Sequence, residues 1–241
     1  MAPIKNNLPR ANAARIIFYL LTGVSIIMLF SNILQYQLLT DVKNGIAISQ
    51  ETAAANDLRQ RIISIINILL LLVSTGLFLV WTYRAYDNLY TLKKDEMSTT
   101  PGWAVGYWFV PVLSLFKPYL VMKEIWDETK TYPMHQNEKW DTSGGSIVGV
   151  WWTCSLLSVF SSYFVIFVFT DRKSLDGLLD LTSAAICSNI ILIVAKVVTL
   201  VMLNKVIALE KNLWIFVNTP VEPVNVILPG DDGDSMNVPR V

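Results

Sequence analysis

Residues 62–83 read IISIINILLLLVSTGLFLVWTY, a run that contains no Asp, Glu, Lys or Arg. At a rise of about 1.5 Å per residue, a helix of this length crosses a hydrocarbon core about 30 Å thick. A helix is favoured because backbone polar groups inside a bilayer must be satisfied within the segment itself. This run therefore predicts a membrane-spanning helix.

Four further stretches also lack charged side chains, and they cover 16–40, 97–116, 142–170 and 181–195. A soluble domain spreads its charges along the chain, because nearly every helix or strand keeps one face in water. Three of these stretches belong to apolar runs that are long enough to cross a bilayer. Together with the first run, they predict spanning helices over about 15–39, 62–83, 147–169 and 181–203.

The overall composition supports a membrane protein. Hydrophobic residues make up 53% of the 241 residues, charged residues make up 16%, and the net charge is zero. The apolar content argues against disorder, the two cysteines argue against a disulfide scaffold, and the zero charge argues against a nucleic-acid-binding protein. We predict an all-α integral membrane protein with four transmembrane helices.

The remaining charge-free stretch does not fit a spanning helix. Its apolar part, 103–116, is too short to cross a bilayer, and Pro111 interrupts it. From Pro118 the pattern becomes amphipathic, with apolar side chains on one helical face and charged side chains on the other. We therefore predict a re-entrant or interfacial helical hairpin over about 101–128, between the second and third spans.

The distribution of basic residues predicts the orientation. With four spans and a cytoplasmic N-terminus, 13 Lys and Arg residues lie inside and 5 lie outside. If 103–116 also crossed the membrane, the split would be 8 inside and 10 outside. Because basic residues favour the cytoplasmic side, we predict a multi-pass protein of the inner membrane with both termini in the cytoplasm.

The two ends of the chain differ in composition. Residues 1–217 hold all of the apolar runs, and they predict a single transmembrane domain. Residues 218–241 carry four prolines and the sequence GDDGD, which cannot form an apolar core. We predict that this C-terminal part is a disordered cytoplasmic tail.

Motifs of catalysis and metal binding are absent from the sequence. Its single histidine, His135, lies in a polar stretch, and Cys154 and Cys187 lie within predicted spans. No Cys/His cluster, G-x-S-x-G, H-E-x-x-H or Walker A pattern occurs. We therefore predict a protein that is not an enzyme, with no metal and no cofactor.

Lys196 lies within the fourth predicted span, and Asn189 falls on the same helical face. Asn67 lies within the second span. A charge within the bilayer is costly, so these residues form a candidate intramembrane polar site. The structural alternative is that Lys196 extends toward the inner interface or bonds Asn67 inside the bundle.

A second candidate site lies at the predicted cytoplasmic interface, where aromatic and charged residues are concentrated. Arg84 and Lys117 are suited to bind lipid phosphates or a cytoplasmic anion, and Glu124 is a candidate partner of Arg84 or Lys123. The alternative is an aromatic belt with basic anchors. The candidate residues are Trp81, Arg84, Asn88, Trp103, Lys117, Tyr119, Glu124 and Trp126.

Several segments of the chain together form a distinctive pattern. They are WTYRA at 81–85, PGWAVGYWFVP at 101–111, LFKPY at 115–119, EIW at 124–126 and the pair Trp151–Trp152. With them the chain resembles the bacterial membrane-protein family catalogued as domain of unknown function 4328, over roughly residues 60–210. Two positions depart from the family pattern, where Ser114 replaces an asparagine and Leu120 replaces a glutamine. The resemblance implies an integral membrane domain and no activity.

These observations lead to two functional hypotheses. The first is a non-enzymatic membrane component that binds lipid or protein partners at its cytoplasmic interface. The alternative is a small transporter or channel subunit with a pathway near Lys196. The expected partners are membrane lipids, with other membrane proteins or a second copy of the chain left open, and no nucleic acid is expected.

Overall fold

The computed structural model describes residues 3–134, 146–171 and 173–219. The described part is helical and contains no strand. Two short 3₁₀ turns, Tyr107–Phe109 and Leu113–Leu115, join the third helix to the fourth. The helices are α1 (Leu8–Lys43), α2 (Gln50–Leu92), α3 (Pro101–Gly106), α4 (Lys117–Met134), α5 (Ser146–Val168) and α6 (Leu175–Asn218).

Four of these helices, α1, α2, α5 and α6, are long and apolar enough to cross a membrane. Each contains one of the predicted spans, or nearly all of it, so the predicted fold class is confirmed. Their outer surfaces carry large apolar side chains, for example Phe30, Leu72 and Phe167, which are 62%, 65% and 73% exposed. Such surfaces are unfavourable in water and suit a hydrocarbon solvent.

α2 and α6 extend well beyond the bilayer. They have 43 and 44 residues, and a helix of that length is about 65 Å long, roughly twice the thickness of the hydrocarbon core. Residues 51–61, which precede the second predicted span, form the first part of α2, because no Gly or Pro separates them from the span. Both helices begin at a serine cap, where Ser49 accepts from the backbone N–H of Thr52 and Ser174 from that of Gly177.

The four long helices do not form a closed ring. α1 packs against both α2 and α6, and α5 packs against α6. No extended contact joins α2 to α5 among the described residues. The bundle is therefore open along one side, between α2 and α5.

The predicted hairpin is a broken helical segment. Pro101 starts α3, the backbone leaves helical geometry at Val110, and α4 begins at Lys117. Several apolar side chains of this segment point outward, and Phe109 and Val112 are 72% and 69% exposed. The break is confirmed, and entry of the segment into the bilayer stays a prediction.

The best-packed core lies at one end of the bundle. There the start of α1, the end of α2, α3, α4 and the last part of α6 meet, and we call this region the hairpin end. Its core includes Trp81, Tyr86, Met122, Ile125 and Val206, each with 0% exposure. The predicted tail begins at the last residues of α6 and lies almost entirely outside the described residues, and His135 lies outside them as well.

Candidate functional site

A groove of about 510 Å³ follows the open side of the bundle. Its walls come from α2 and α5, and its floor comes from α1 and α6. Apolar side chains dominate the lining, as Leu21, Leu71, Val159 and Leu192 illustrate. Its volume falls in the range of small-molecule binding sites, about 300–1,000 Å³.

Aromatic rings close the groove at the hairpin end. Phe78, Trp108 and Trp151 all line it, with ring centroids 5.6, 6.1 and 6.5 Å apart. Trp152 packs edge-on against Trp108 at 5.9 Å, and its indole N–H donates to the Leu115 carbonyl at 3.0 Å. The segments 101–111 and 151–152, which are distant in sequence, thus meet in this aromatic cap, which we define as Phe78, Trp108, Trp151 and Trp152.

Lys196 lies in the floor of the groove. Its ammonium donates to the hydroxyl of Ser25 on α1, and the Asn189 amide donates to the Ser25 carbonyl at 3.4 Å. The interpretation that pairs Lys196 with Asn67 is wrong, since the partner is Ser25. Asn67 does not line the groove, and its buried side-chain oxygen has no partner among the described residues. Within that part of the chain, no carboxylate forms an ion pair with Lys196.

Two further kinds of polar group line the groove. The hydroxyls of Ser155, Ser158 and Ser162 each donate to a carbonyl of α5 itself, so their donors are already used. The indole N–H of Trp108 is buried and has no partner in the described part of the chain. The groove therefore offers the Lys196 ammonium within apolar walls.

Part of the predicted interface site is buried structure. Trp81 is fully buried, Asn88 exchanges hydrogen bonds with the backbone of Lys5 at 2.8 and 3.0 Å, and Trp126 is 3% exposed. Tyr119 is half-buried against the same core. Trp81, Asn88 and Trp126 are therefore part of the packed hairpin end, whereas Tyr119 packs against it and stays partly exposed.

Glu124 also forms hydrogen bonds within the protein. It accepts hydrogen bonds from the Tyr86 hydroxyl at 2.7 Å and from the backbone and hydroxyl of Ser98 at 2.6 Å each. The suggested pairing of Glu124 with Arg84 or Lys123 is not formed, because Arg84 pairs with Asp87 at 2.8 Å. Burial raises the pKa of the Tyr86 hydroxyl well above its usual value.

Two residues of the predicted interface site remain accessible. Trp103 is 55% exposed, and the Lys117 ammonium lies 5.2 Å from the centre of the Tyr107 ring. They flank the outward-facing apolar side chains of Phe109 and Val112. This accessible surface is amphipathic, with an apolar centre and a basic residue beside it.

The sequence patterns did not single out Glu210, a partly buried carboxylate. Glu210 lies on α6 beyond the predicted span 181–203, and it accepts from Asn7 at 2.9 Å and from the Trp81 indole at 2.7 Å. Burial raises its pKa to about 7, and the hydrogen bonds from Asn7 and Trp81 act in the opposite direction. A signal was present, because Glu210 falls on the helical face of the buried residues Val206, Ile207 and Leu213.

Comparison with known proteins gives one match. A family model described as a domain of unknown function (DUF4328) matches residues 44–208, which is more than half of the chain. No curated protein and no solved structure matches. The matched residues include the whole aromatic cap and Lys196, whereas Asn7, Ser25 and Glu210 lie outside them.

Proposed function

The chain belongs to the family described as a domain of unknown function (DUF4328), and we propose that it is a non-enzymatic membrane protein that binds an acidic amphiphile. By this we mean a molecule with one acyl chain and an anionic head group. The acyl chain lies in the groove between α2 and α5. The hairpin end faces the cytoplasm of a bacterial inner membrane, in agreement with the distribution of basic residues.

The observation that carries this proposal is Lys196 in the floor of an apolar groove. An ammonium within the bilayer is costly unless a partner compensates its charge, and its bonded partner Ser25 is neutral. No carboxylate among the described residues forms an ion pair with Lys196. A carboxylate or phosphate oxygen of a ligand would compensate this charge, and an acyl chain would fill the apolar remainder of the groove.

The accessible part of the hairpin supports a role at the interface. Trp103, Phe109 and Val112 present apolar surface, and Lys117 provides a positive charge beside it. Such a surface suits the boundary between head groups and acyl chains, where aromatic rings and basic residues are both favoured. We propose that this segment lies in the cytoplasmic leaflet and positions the entrance of the groove.

Photo-cross-linking of purified protein tests binding in the groove. The probe is a long-chain fatty acid that carries a diazirine, and the matched neutral probe is the corresponding fatty alcohol. Val159→Trp fills the groove and is expected to remove most of the cross-linking, whereas Val150→Trp is the control. Both valines lie on α5 and are 48% exposed, but Val150 does not line the groove.

Lys196→Met tests the anionic head group separately. Methionine keeps the length of the side chain and removes the charge, so cross-linking of the acid should fall while that of the alcohol stays. Equal labelling of Val159→Trp and Val150→Trp would overturn the groove as the binding site. Equal loss of both probes in Lys196→Met would overturn the proposed role of the charge.

A small transporter or channel subunit is the second candidate. The observation that favours it is that the same groove places Lys196, Thr199 and three serines along one path within the spanning region. A flux assay in proteoliposomes, with Lys196→Met as the comparison, tests this function. Flux that requires Lys196 would support transport, and the absence of flux in the wild-type protein would exclude it for the solutes assayed.

A further inference from the structure

A second polar centre lies at the hairpin end, away from the groove. Asn7, Thr129 of α4 and Glu210 of α6 line a cavity of about 10 Å³ between the N-terminal segment and the helices. This volume is close to the least that holds a single water-sized occupant. The cavity therefore accommodates one small particle rather than an organic ligand.

Glu210 is a partly buried carboxylate that accepts its hydrogen bonds from neutral donors. Its two oxygens accept from the Asn7 amide at 2.9 Å and the Trp81 indole at 2.7 Å. Lys5 also lines the cavity, but its side chain is exposed and forms no ion pair with Glu210. A buried carboxylate requires either a proton or a compensating cation.

Two further oxygens at this cavity lack partners. The side-chain carbonyl of Asn7 and the hydroxyl of Thr129 are buried and make no hydrogen bond among the described residues. Asn7 is 4% exposed and Thr129 is 2% exposed, so solvent does not satisfy them. The Asn7 oxygen is an acceptor only, and it requires either a donor or a cation.

We infer that Asn7, Thr129 and Glu210 form a binding site for a small monovalent cation such as Na⁺. The donor set contains oxygen only, which is the preference of hard cations. One carboxylate balances one positive charge, and the described residues contain no cluster of three His, Cys, Asp or Glu that would suit a multivalent ion. A bound cation would join the N-terminal segment, α4 and α6, and would thereby stabilise the hairpin end.

Thermal unfolding of the full chain in detergent tests the site. Tm is measured at pH 8 against NaCl, with choline chloride at equal ionic strength as the reference. For the wild-type protein we expect Tm to rise with Na⁺ and to saturate, because a ligand that binds only the folded state stabilises it. A pH of 8 is chosen because protons then compete less with Na⁺ for the ligand oxygens than they would near neutral pH.

Thr129→Val is the decisive variant, because it removes one oxygen and keeps the shape of the side chain. We expect the half-saturating Na⁺ concentration to rise by about tenfold or more, as for other substitutions around bound metals. Thr131→Val is the control, since its hydroxyl on the same helix donates to the Asp127 carbonyl. Glu210→Gln should abolish the response to Na⁺ if it folds.

Two results would overturn the inference. The first is a wild-type Tm that is the same in NaCl and choline chloride. This result would mean that the cavity holds water and that Glu210 is neutralised by a proton. The second is a Na⁺ response that Thr129→Val leaves unchanged, which would place the ion elsewhere. Neither result bears on lipid binding in the groove, because the two sites share no lining residue.

Discussion

Trp81 links α2 to α6 through a single charge-assisted hydrogen bond. Its ring is fully buried, and its indole N–H donates to Glu210 at 2.7 Å. Trp81→Phe keeps an aromatic ring but leaves the carboxylate with one donor fewer. We expect the free energy of unfolding to fall by about 2–3 kcal/mol, since hydrogen bonds to charged groups contribute about that much.

The control for this substitution is Trp103→Phe. Trp103 is 55% exposed, and a surface change of this kind is expected to alter stability by less than about 0.5 kcal/mol. Denaturant unfolding in mixed micelles measures both variants. Similar losses in the two variants would contradict a stabilising role for the bond between Trp81 and Glu210.

Glu210 should make the stability of the hairpin end depend on pH. Burial raises the pKa of its carboxyl from 4.5 to about 7. A carboxyl with a higher pKa in the folded state binds more protons when folded, so its contribution is greatest below pH 4.5 and is lost as the pH rises toward 7. In Na⁺-free buffer we expect a loss of about 3 kcal/mol over that window.

Glu210→Gln isolates this contribution. Glutamine resembles the protonated carboxyl and does not titrate, so the difference between the two unfolding curves should follow the predicted window. Lys5 is the other titratable residue described around the cavity. Identical pH profiles for the wild-type protein and Glu210→Gln would show that Glu210 does not titrate in this range.

At the scale of single residues, the sequence predicted where the residues of the interface site lie better than it predicted what they contact. Trp81, Asn88 and Trp126 were expected at an interface, and they do lie at the hairpin end, but they face the core. Whether an aromatic side chain at a helix end faces lipid or protein depends on neighbours that are distant in the chain. The hydrogen bond between Asn7 and Glu210, which lies beside Trp81, joins residues that are 203 positions apart.

At the scale of elements, the positions of charged residues and prolines predicted most of the helices and the break between α3 and α4. Four of the five charge-free runs lie largely in the four long helices, and Pro111 of the fifth run marks the break between α3 and α4. α1, α2 and α6 continue beyond their predicted spans, because charged residues such as Arg59 and Arg61 end an apolar run without ending a helix, whereas α5 matches its span within one residue. Only a capping residue or a helix breaker ends the backbone hydrogen bonding.

The break between α3 and α4 gives a prediction about membrane insertion. If the segment lies in the leaflet, a cysteine at Val112 should resist a water-soluble maleimide in permeabilised membranes and react after denaturation. Lys94→Cys is the control, because Lys94 is exposed in the turn before α3. Both variants are made in a background where Cys154 and Cys187 are replaced by alanine, so that only the new thiol reacts. Equal labelling of the two thiols in permeabilised membranes would place the segment in water.

At the scale of the whole molecule, the groove follows from helix arrangement and not from any local pattern. α2 and α5 stay apart because α1 and α6 pack on each other between them. Nothing in the apolar runs specifies which helices touch, since lipid and protein offer similar apolar surroundings. The sequence could therefore predict four spans and Lys196 among them, but not the groove that Lys196 lines.

Orientation is a property of the whole molecule, and it gives the last prediction. The asymmetry of 13 basic residues against 5 predicts that the hairpin end lies in the cytoplasm and that the loop before α2 lies outside. In the same cysteine-free background, Ile46→Cys should react with an impermeant maleimide added to intact spheroplasts. Lys94→Cys should react only after permeabilisation. Ile46 and Lys94 are both exposed, so access to the reagent and not burial decides the outcome. The reverse labelling pattern would show that the protein has the opposite orientation. The aromatic cap and Lys117 would then face the outer leaflet.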